Sequence, residues 1–492
     1  MIDISVWFFI SSALFLGWSL GSNNAVVLFG TAVTSKMVRF KTAAIIAGVF
    51  VVLGSFISGG GTTNTLTNLG GINAIAGSFT VALSVALSVT WMTKASLPVS
   101  TSQAVVGAII GWNIFTGSPI DFATLSKIVL SWIFSPVISA VFGFLIFKVI
   151  KRTLLKWKIH MLELDSYTRI GLIIVGAIAS YSFGANNIAN VMGMFVSATP
   201  FKDLMISEMY TVTGVQQLFL IGGLAIAVGI FTYGLRVMKT VGNDLYKISP
   251  ITGLAVVLAA SLVIWLFTSQ SLEDFLLNNN LPSIPLVPLA ASQAFIGAVI
   301  GVGLAKDPLS INFKVFGKIS MAWVVAPIAS GVLSFILLFF VQNVFEQKVI
   351  DPIPYQITAT VLHRLDKEEI DTKGLADLKD IRFTNNKVFK NQILEKHRYK
   401  NEHLFKIFNY ARIDSFKIDS TLVNNELNTD EYSPEQIEGL KLLHGTAYSH
   451  KIDFENSVFS GREEWSYSGN KLSDKIIDDK KQFLEELFRV RK

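Results

Sequence analysis

Ten apolar stretches follow one another between residues 6 and 344, near 6–33, 42–60, 72–93, 97–114, 126–149, 167–196, 207–231, 250–268, 286–305 and 316–344. Each is close to the roughly 20 residues that a helix needs to cross the hydrocarbon of a bilayer. Hydrocarbon offers no hydrogen bonds, so every backbone N–H and C=O inside it must be paired within the protein. An all-α polytopic membrane architecture follows, with some stretches folding back as re-entrant hairpins. Charge separates a second region. Residues 1–345 hold 18 Lys/Arg and 10 Asp/Glu, against 24 and 26 in residues 346–492. The latter read as a small, mainly helical soluble domain, with helical patterns near 384–410, 433–446 and 473–490.

The membrane part says the same thing twice. Gly21-Ser22-Asn23-Asn24-Ala25-Val26-Val27 returns as Gly184-Ala185-Asn186-Asn187-Ile188-Ala189-Asn190, an offset of 163. Pro98-Val99-Ser100-Thr101-Ser102-Gln103 and the residues to Ala108 return at 288–298, an offset of 190. Lys127, Ile128, Trp132 and Pro136 return as Lys318, Ile319, Trp323 and Pro327, an offset of 191. The second half therefore carries about 27 extra residues, most of them expected in the Asn-rich stretch 269–283. Basic residues cluster at Lys36/Arg39/Lys41, at 148–158, at Arg236/Lys239/Lys247 and at Lys306/Lys314/Lys318. Placing them on the inner side puts the N-terminus outside and 148–158 inside. Five crossings are then followed by five of opposite sense. The expected organisation is repeat 1 over 1–160, repeat 2 over 161–345 and the soluble domain over 346–492.

Polar interruptions at corresponding places of two inverted halves mark a substrate site near the bilayer midplane. Pro98 suits the first turn of a helix, where its missing N–H costs nothing. Ser100, Thr101 and Ser102 add hydroxyls beside the free N–H groups of that turn, which attract an anion. The same hydroxyls also serve as caps for their own helix. Asn23, Asn24, Asn186, Asn187 and Asn190 both donate and accept, and Asn187 and Asn190 share a helix face. Their bland role is to bond neighbouring helices together. Duplication favours a site, and the adjacent Gly21 and Gly184 predict an unwound backbone there.

None of these motifs holds a charged residue, so a co-transported cation is expected to balance an anion, a fixed buried charge being costly. The chain has no cysteine, which removes disulfides and thiolate metal sites. Its six histidines, from His160 to His450, form no ligand pattern, and no metal is assigned. Loop lysines account for the basic balance, so nucleic acid is not an expected partner. No nucleophile–base pair points to an enzyme. The N-terminus lacks a basic region and a cleavage site, so 6–20 reads as a retained first span.

On these motifs the chain resembles the inorganic phosphate transporter family. In that family each half carries G-A-N-D-x-A-N and P-[VI]-S-T-T-[HQ]-x-x-x-G-A, matched here at 21–27, 184–190, 98–108 and 288–298. Residues 240–245 resemble a further T-[VI]-G-K-D segment, and the likeness covers residues 5–345. The resemblance implies symport of inorganic phosphate with sodium or protons by alternating access. It also implies a multi-pass homodimer in the cell membrane with both termini outside and no cofactor. Asn23, Asn24, Ser100, Thr101, Ser102, Gln103, Asn186, Asn187, Asn190, Ser292 and Gln293 are the expected substrate-binding residues.

The departures bear on the substrate. The family's acidic residue is Asn24 in one half and Asn187 in the other, the later Asn is Val27 in the first half, and Ala290-Ala291 replace Ser-Thr in the second. Phosphate keeps a proton at neutral pH and wants an acceptor, whereas sulfate keeps none. Amides in place of carboxylates make a sulfate permease the alternative. An anion sensor signalling through the soluble domain is the alternative from another class.

Overall fold

The computed structural model describes residues 4–94, 99–157, 160–207, 210–241, 249–308, 311–427 and 431–490. Pro98, Lys158, Lys247 and the 242–245 portion of the 240–245 segment lie outside the described residues.

In the first half, α1 (Ile4–Ala25) passes through a π turn (Val26–Gly30) into α2 (Thr31–Thr34). It is followed by α3 (Phe40–Ser58), α4 (Gly60–Leu69), α5 (Ile75–Lys94), α6 (Thr101–Thr116) and α7 (Phe122–Trp157). The second half opens with α8 (Met161–Met192), a 3-10 turn (Gly193–Phe195) and a hairpin of β1 (Leu204–Ser207) and β2 (Tyr210–Val212). Then come α9 (Gly214–Val241), α10 (Pro250–Leu266), α11 (Gln270–Asn278), α12 (Ala291–Lys306) and α13 (Phe313–Asn343). Among the described residues seven helices are long and apolar enough to cross a membrane, or eight if α10 and α11, bent by 62°, count as one span. With 16 residues each, α6 and α12 are about 24 Å long and fall short of a full crossing.

Packing shows the two-fold relation directly. Gly21 on α1 lies against the Ile226 carbonyl of α9 with no room for a Cβ, and Gly184 on α8 lies the same way against Val51 of α3. Gly54 of α3 meets the Tyr181 carbonyl and Gly229 of α9 meets that of Trp18. Likewise Gly107 and Gly111 of α6 abut Pro327 and Gly331 of α13, while Gly297 and Gly301 of α12 abut Pro136 and Ala140 of α7. Each repeat therefore buries its helices against the other repeat. Small residues are what let membrane helix backbones approach this closely. Along 131–140 and 322–331 the alternation of buried and exposed positions is identical residue by residue.

These contacts correct one expectation. The backbone is α-helical through Gly21 and Gly184, so neither glycine unwinds its motif. Their missing side chains serve helix contact, and the irregular turns come a few residues later, at Val26–Gly30 and Gly193–Phe195. The contacts also divide the extra residues. The offset is 163 at Gly21/Gly184, 175 at Gly54/Gly229 and 190 at Gly107/Gly297. Insertions therefore fall both ahead of α9, where β1 and β2 lie, and between α9 and α12, where α11 lies.

A second compact unit comprises residues 352–492 together with the connecting segments 116–122 and 271–283. Its helices are α14 (Ala359–Lys367), α15 (Asn386–Lys396), α16 (Asn401–Ala411), α17 (Ser420–Glu426), α18 (Pro434–Leu442), α19 (Lys451–Val458) and α20 (Lys471–Phe488). Short antiparallel pairs join β3 (Tyr355–Gln356) to β4 (Arg382–Phe383) and β5 (Ile413–Lys417) to β6 (Ala447–His450). One core gathers Tyr355, Phe389, Ile393 and Phe408, and another gathers Phe416, Phe454, Trp465 and Phe488. Within this unit Asn386 Nδ2 donates to Ser118 Oγ at 3.0 Å, and Lys475 Nζ reaches Glu273 at 2.6 Å and Asp274 at 2.8 Å.

Candidate functional site

The candidate residues lie on α1 and α8 and around the starts of α6 and α12, and the structure joins four of them, Ser102, Asn186, Asn187 and Asn190, in one hydrogen-bonded network. Asn186 is fully buried. Its Nδ2 donates to the Leu289 carbonyl at 2.9 Å, and Leu289 N–H donates to its Oδ1 at 2.8 Å. Ser102 Oγ donates to the same carbonyl at 2.8 Å. Asn190 Nδ2 donates to Ser102 Oγ at 2.8 Å and to Asn187 Oδ1 at 3.2 Å, and Asn187 Nδ2 donates to Phe183 O at 3.0 Å. The helix α8, the start of α6 and the extended segment before α12 are thus tied around Leu289.

This network fixes which way its amides point. Asn187 faces a carbonyl at Phe183, so its nitrogen is there and its oxygen faces Asn190. Asn190 must then present its nitrogen, leaving its Oδ1 buried with no donor. Buried and likewise without partners are Thr101 Oγ1, Ser292 Oγ, Gln103 Oε1 and Gln293 Oε1. All five atoms belong to residues within four positions of Ser102 or Leu289, or bonded to Ser102. Buried polar atoms are nearly always paired, and these five lie without partners in one neighbourhood. Two are hydroxyls able to donate, and three are amide oxygens that can only accept.

Other candidates take plainer roles. Ser100 Oγ accepts from Gln103 N–H at 3.3 Å, a capping bond at the opening of α6. Asn24 Nδ2 bonds back to Leu20 O at 3.2 Å, as Asn187 does to Phe183, and is not joined to the network. Asn23 is half-buried, and among the described residues it makes no hydrogen bond to the network. One contributor had no part in the motif reading. Thr62 Oγ1 of α4 donates to Ala185 O at 3.4 Å, and Thr65 Oγ1 donates to Leu286 O at 2.6 Å, bracing both sides of the Asn186–Leu289 junction. The signal was present in Gly60-Gly61-Thr62-Thr63-Asn64-Thr65, a polar yet uncharged run between two apolar helices.

Among the described residues up to α13, every buried polar side chain is a neutral hydroxyl or amide. No group of His, Asp or Glu among the described residues has a metal-holding arrangement. An anion in this neighbourhood would meet dipoles only.

The sequence pattern of the phosphate transporter family matches residues 20–272 and 278–418. The chain belongs to the phosphate transporter family. As a member it is a multi-pass membrane transporter, not an enzyme. Relatives carrying the provisional name phosphate permease include one from Pyrococcus horikoshii, 25% identical over 414 residues, which span 68% of this chain and 98% of that protein. One from Methanocaldococcus jannaschii is 26% identical over 338 residues, with 68% and 98% covered. One from Haemophilus influenzae is 22% identical over 423 residues, with 69% and 97% covered. A solved structure described as the sodium-dependent phosphate transporter shares the fold, with a TM-score of 0.55 at 20% identity over 69% of this chain and 99% of that one. The family match runs past α13 to residue 418, further than the motif resemblance.

Proposed function

We propose that this transporter carries inorganic phosphate across the cell membrane by cation symport, with alternating access to a site beside Ser102, Asn190 and Leu289. Thr101 and Ser292 donate to phosphate oxygens, while Gln103, Gln293 and Asn190 meet the protonated side of the ion. Asn186 and Asn187 position the others, and Asn24 holds the first half's motif in its helix.

The observation that carries the choice of substrate is the open Oδ1 of Asn190. Its orientation follows from the bonds its nitrogen makes, so it offers lone pairs and no hydrogen. Phosphate at neutral pH brings a P–O–H donor to such an atom. Sulfate brings only oxygens, and two acceptors facing each other in a dry site repel. This favours phosphate over the sulfate reading that the Asn24 and Asn187 departures first suggested. The neutral lining supports cation coupling, because the charge of the anion is then balanced by its companion and not by the protein. Sodium is the companion named for the solved relative.

The apolar faces of α7 and α13, including Ile133, Phe134, Val137, Met321, Val324 and Ile328, are exposed and suited to lipid. A second copy of the chain, as the family resemblance implies, would cover part of that surface.

Uptake of labelled phosphate and labelled sulfate into proteoliposomes, each competed by the other and with sodium or a proton gradient imposed, tests the proposal. Phosphate flux that rises with one imposed cation gradient is expected. Sulfate flux with no phosphate signal overturns it, and binding without any flux would return the sensor reading.

A further inference from the structure

The halves of the site are related by sequence but are not in the same state. Under the repeat offsets Asn186 corresponds to Asn23, Leu289 to Val99, Ser102 to Ser292 and Asn190 to Val27. In one half Leu289 is held by both ends of the Asn186 amide and by Ser102 Oγ. In the other, no hydrogen bond joins Asn23 to Val99 among the described residues, and the buried Ser292 hydroxyl has no partner. Two other features are alike in both halves. Asn24 and Asn187 make the same bond to the carbonyl four residues before them, and the flanking glycine contacts are mirrored.

We infer that these residues form a two-position latch: Asn186 and Ser102 hold Leu289 in the state seen here, and Asn23 and Ser292 hold Val99 in the opposite-facing state. The inference rests on the transporter reading, in which two inverted repeats exchange conformations to open on alternate sides. The exchange requires that what one half has closed, the other can close. Asn23 carries the same amide as Asn186, and Ser292 the same hydroxyl as Ser102, while Val99 presents the same backbone pair as Leu289. Among the described residues no hydrogen bond holds the Asn23 amide, the Ser292 hydroxyl or the Val99 backbone.

The latch is uneven. Asn190 donates to Ser102 at 2.8 Å and so braces the Leu289 side. Its counterpart Val27 has nothing to donate to Ser292. The Leu289-held state therefore has one hydrogen bond that its mirror lacks, and it is the state favoured at rest. Asn23, Asn186 and Ser102 are positioning residues here, since the latch acts through the segments that carry the site, while Ser292 turns from phosphate in this state to Val99 in the other.

Hydrogen exchange of the full chain in lipid nanodiscs, read over peptides 99–103 and 284–290 without substrate, tests this and does not need transport. In Asn186→Ala, 284–290 should lose protection while 99–103 gains it. In Val27→Asn, which adds the missing donor, the same see-saw should appear, by roughly two- to tenfold for one net hydrogen bond. In Asn23→Ala the resting pattern should be unchanged, while phosphate exchange slows. Loss at 284–290 with no gain at 99–103 overturns the latch, as does a Val27→Asn variant that shifts neither peptide. A see-saw in a protein that moves no phosphate keeps the latch and overturns the assigned cargo instead.

Discussion

Gly107 of α6 rests on the carbonyl of Pro327 in α13 so closely that a Cβ has no place between them, and Gly297 rests on Pro136 in the same way. Proline inside a helix leaves the carbonyl four residues earlier without its usual partner and bends the axis. Here each prolyl turn receives a half-span helix from the other repeat. Gly107→Ala and Gly297→Ala should each destabilise the protein by about 1–3 kcal/mol, the usual cost of overpacking. Gly60→Ala, where the added methyl meets nothing, is the control. Thermal unfolding in detergent reads the difference, and a Gly107→Ala midpoint equal to that of Gly60→Ala would contradict the packing argument.

Asn190→Ala removes the brace on Ser102 and the open acceptor together. Phosphate affinity should fall by roughly tenfold or more, since bonds to a charged guest are worth about 1.5–3 kcal/mol. Asn24→Ala, whose amide bonds only within its own helix, should change affinity far less. Isothermal titration with phosphate separates the two.

Asn187→Asp places a carboxylate oxygen against the Phe183 carbonyl, where Nδ2 now donates at 3.0 Å. Two facing acceptors need a bridging cation. The variant should be less stable than the parent in sodium-free buffer and recover with added sodium. Thermal shifts measured with and without sodium decide this, and equal loss in both conditions would argue against a cation position at Asn187.

In the C-terminal unit, burial pushes the Glu368 pKa up, but the Tyr410 hydroxyl, Lys406 and Arg364 outweigh it and hold the group below its ordinary 4.5. A carboxylate with a depressed folded-state pKa stabilises the fold above its unfolded value, and that contribution is lost as pH falls through the folded one. Glu368→Gln should lower the unfolding temperature at neutral pH. The gap between variant and parent should then close as pH falls from above the ordinary 4.5 through the lower folded-state value. Calorimetry of the full chain across that range checks it, and a gap independent of pH would show that the charge is not what matters.

Much of this molecule is visible in its residues. Hydropathy located every helix from α1 to α13 except α4 and α11, whose uncharged or mixed polar runs look like loops. Motif repetition picked out residues of the hydrogen-bonded network, because Asn186, Asn190 and Ser102 are chemically distinctive. The partner that Asn186 and Ser102 share was hidden, since Leu289 engages through its backbone and a backbone group has no signature. Gly21 and Gly184 were misread for a related reason: a glycine that admits a neighbouring carbonyl and one that unwinds a helix are the same letter. In the C-terminal unit the pattern over 384–410 became two helices, α15 and α16, and the two-residue strands β3 and β4 were too short to leave an alternation.

The C-terminal unit also alters what a truncation would mean. Because 116–122 and 271–283 fold into that same body, cutting the chain near Pro352 would strand both connectors. Ser118 would be left without Asn386, and Glu273 and Asp274 would repel each other without the ammonium of Lys475. A shortened protein that failed to work would therefore report damaged joints next to α6 and α12 as readily as a missing signal. Reversing one charge at a time, starting with Lys475→Glu, asks the cleaner question.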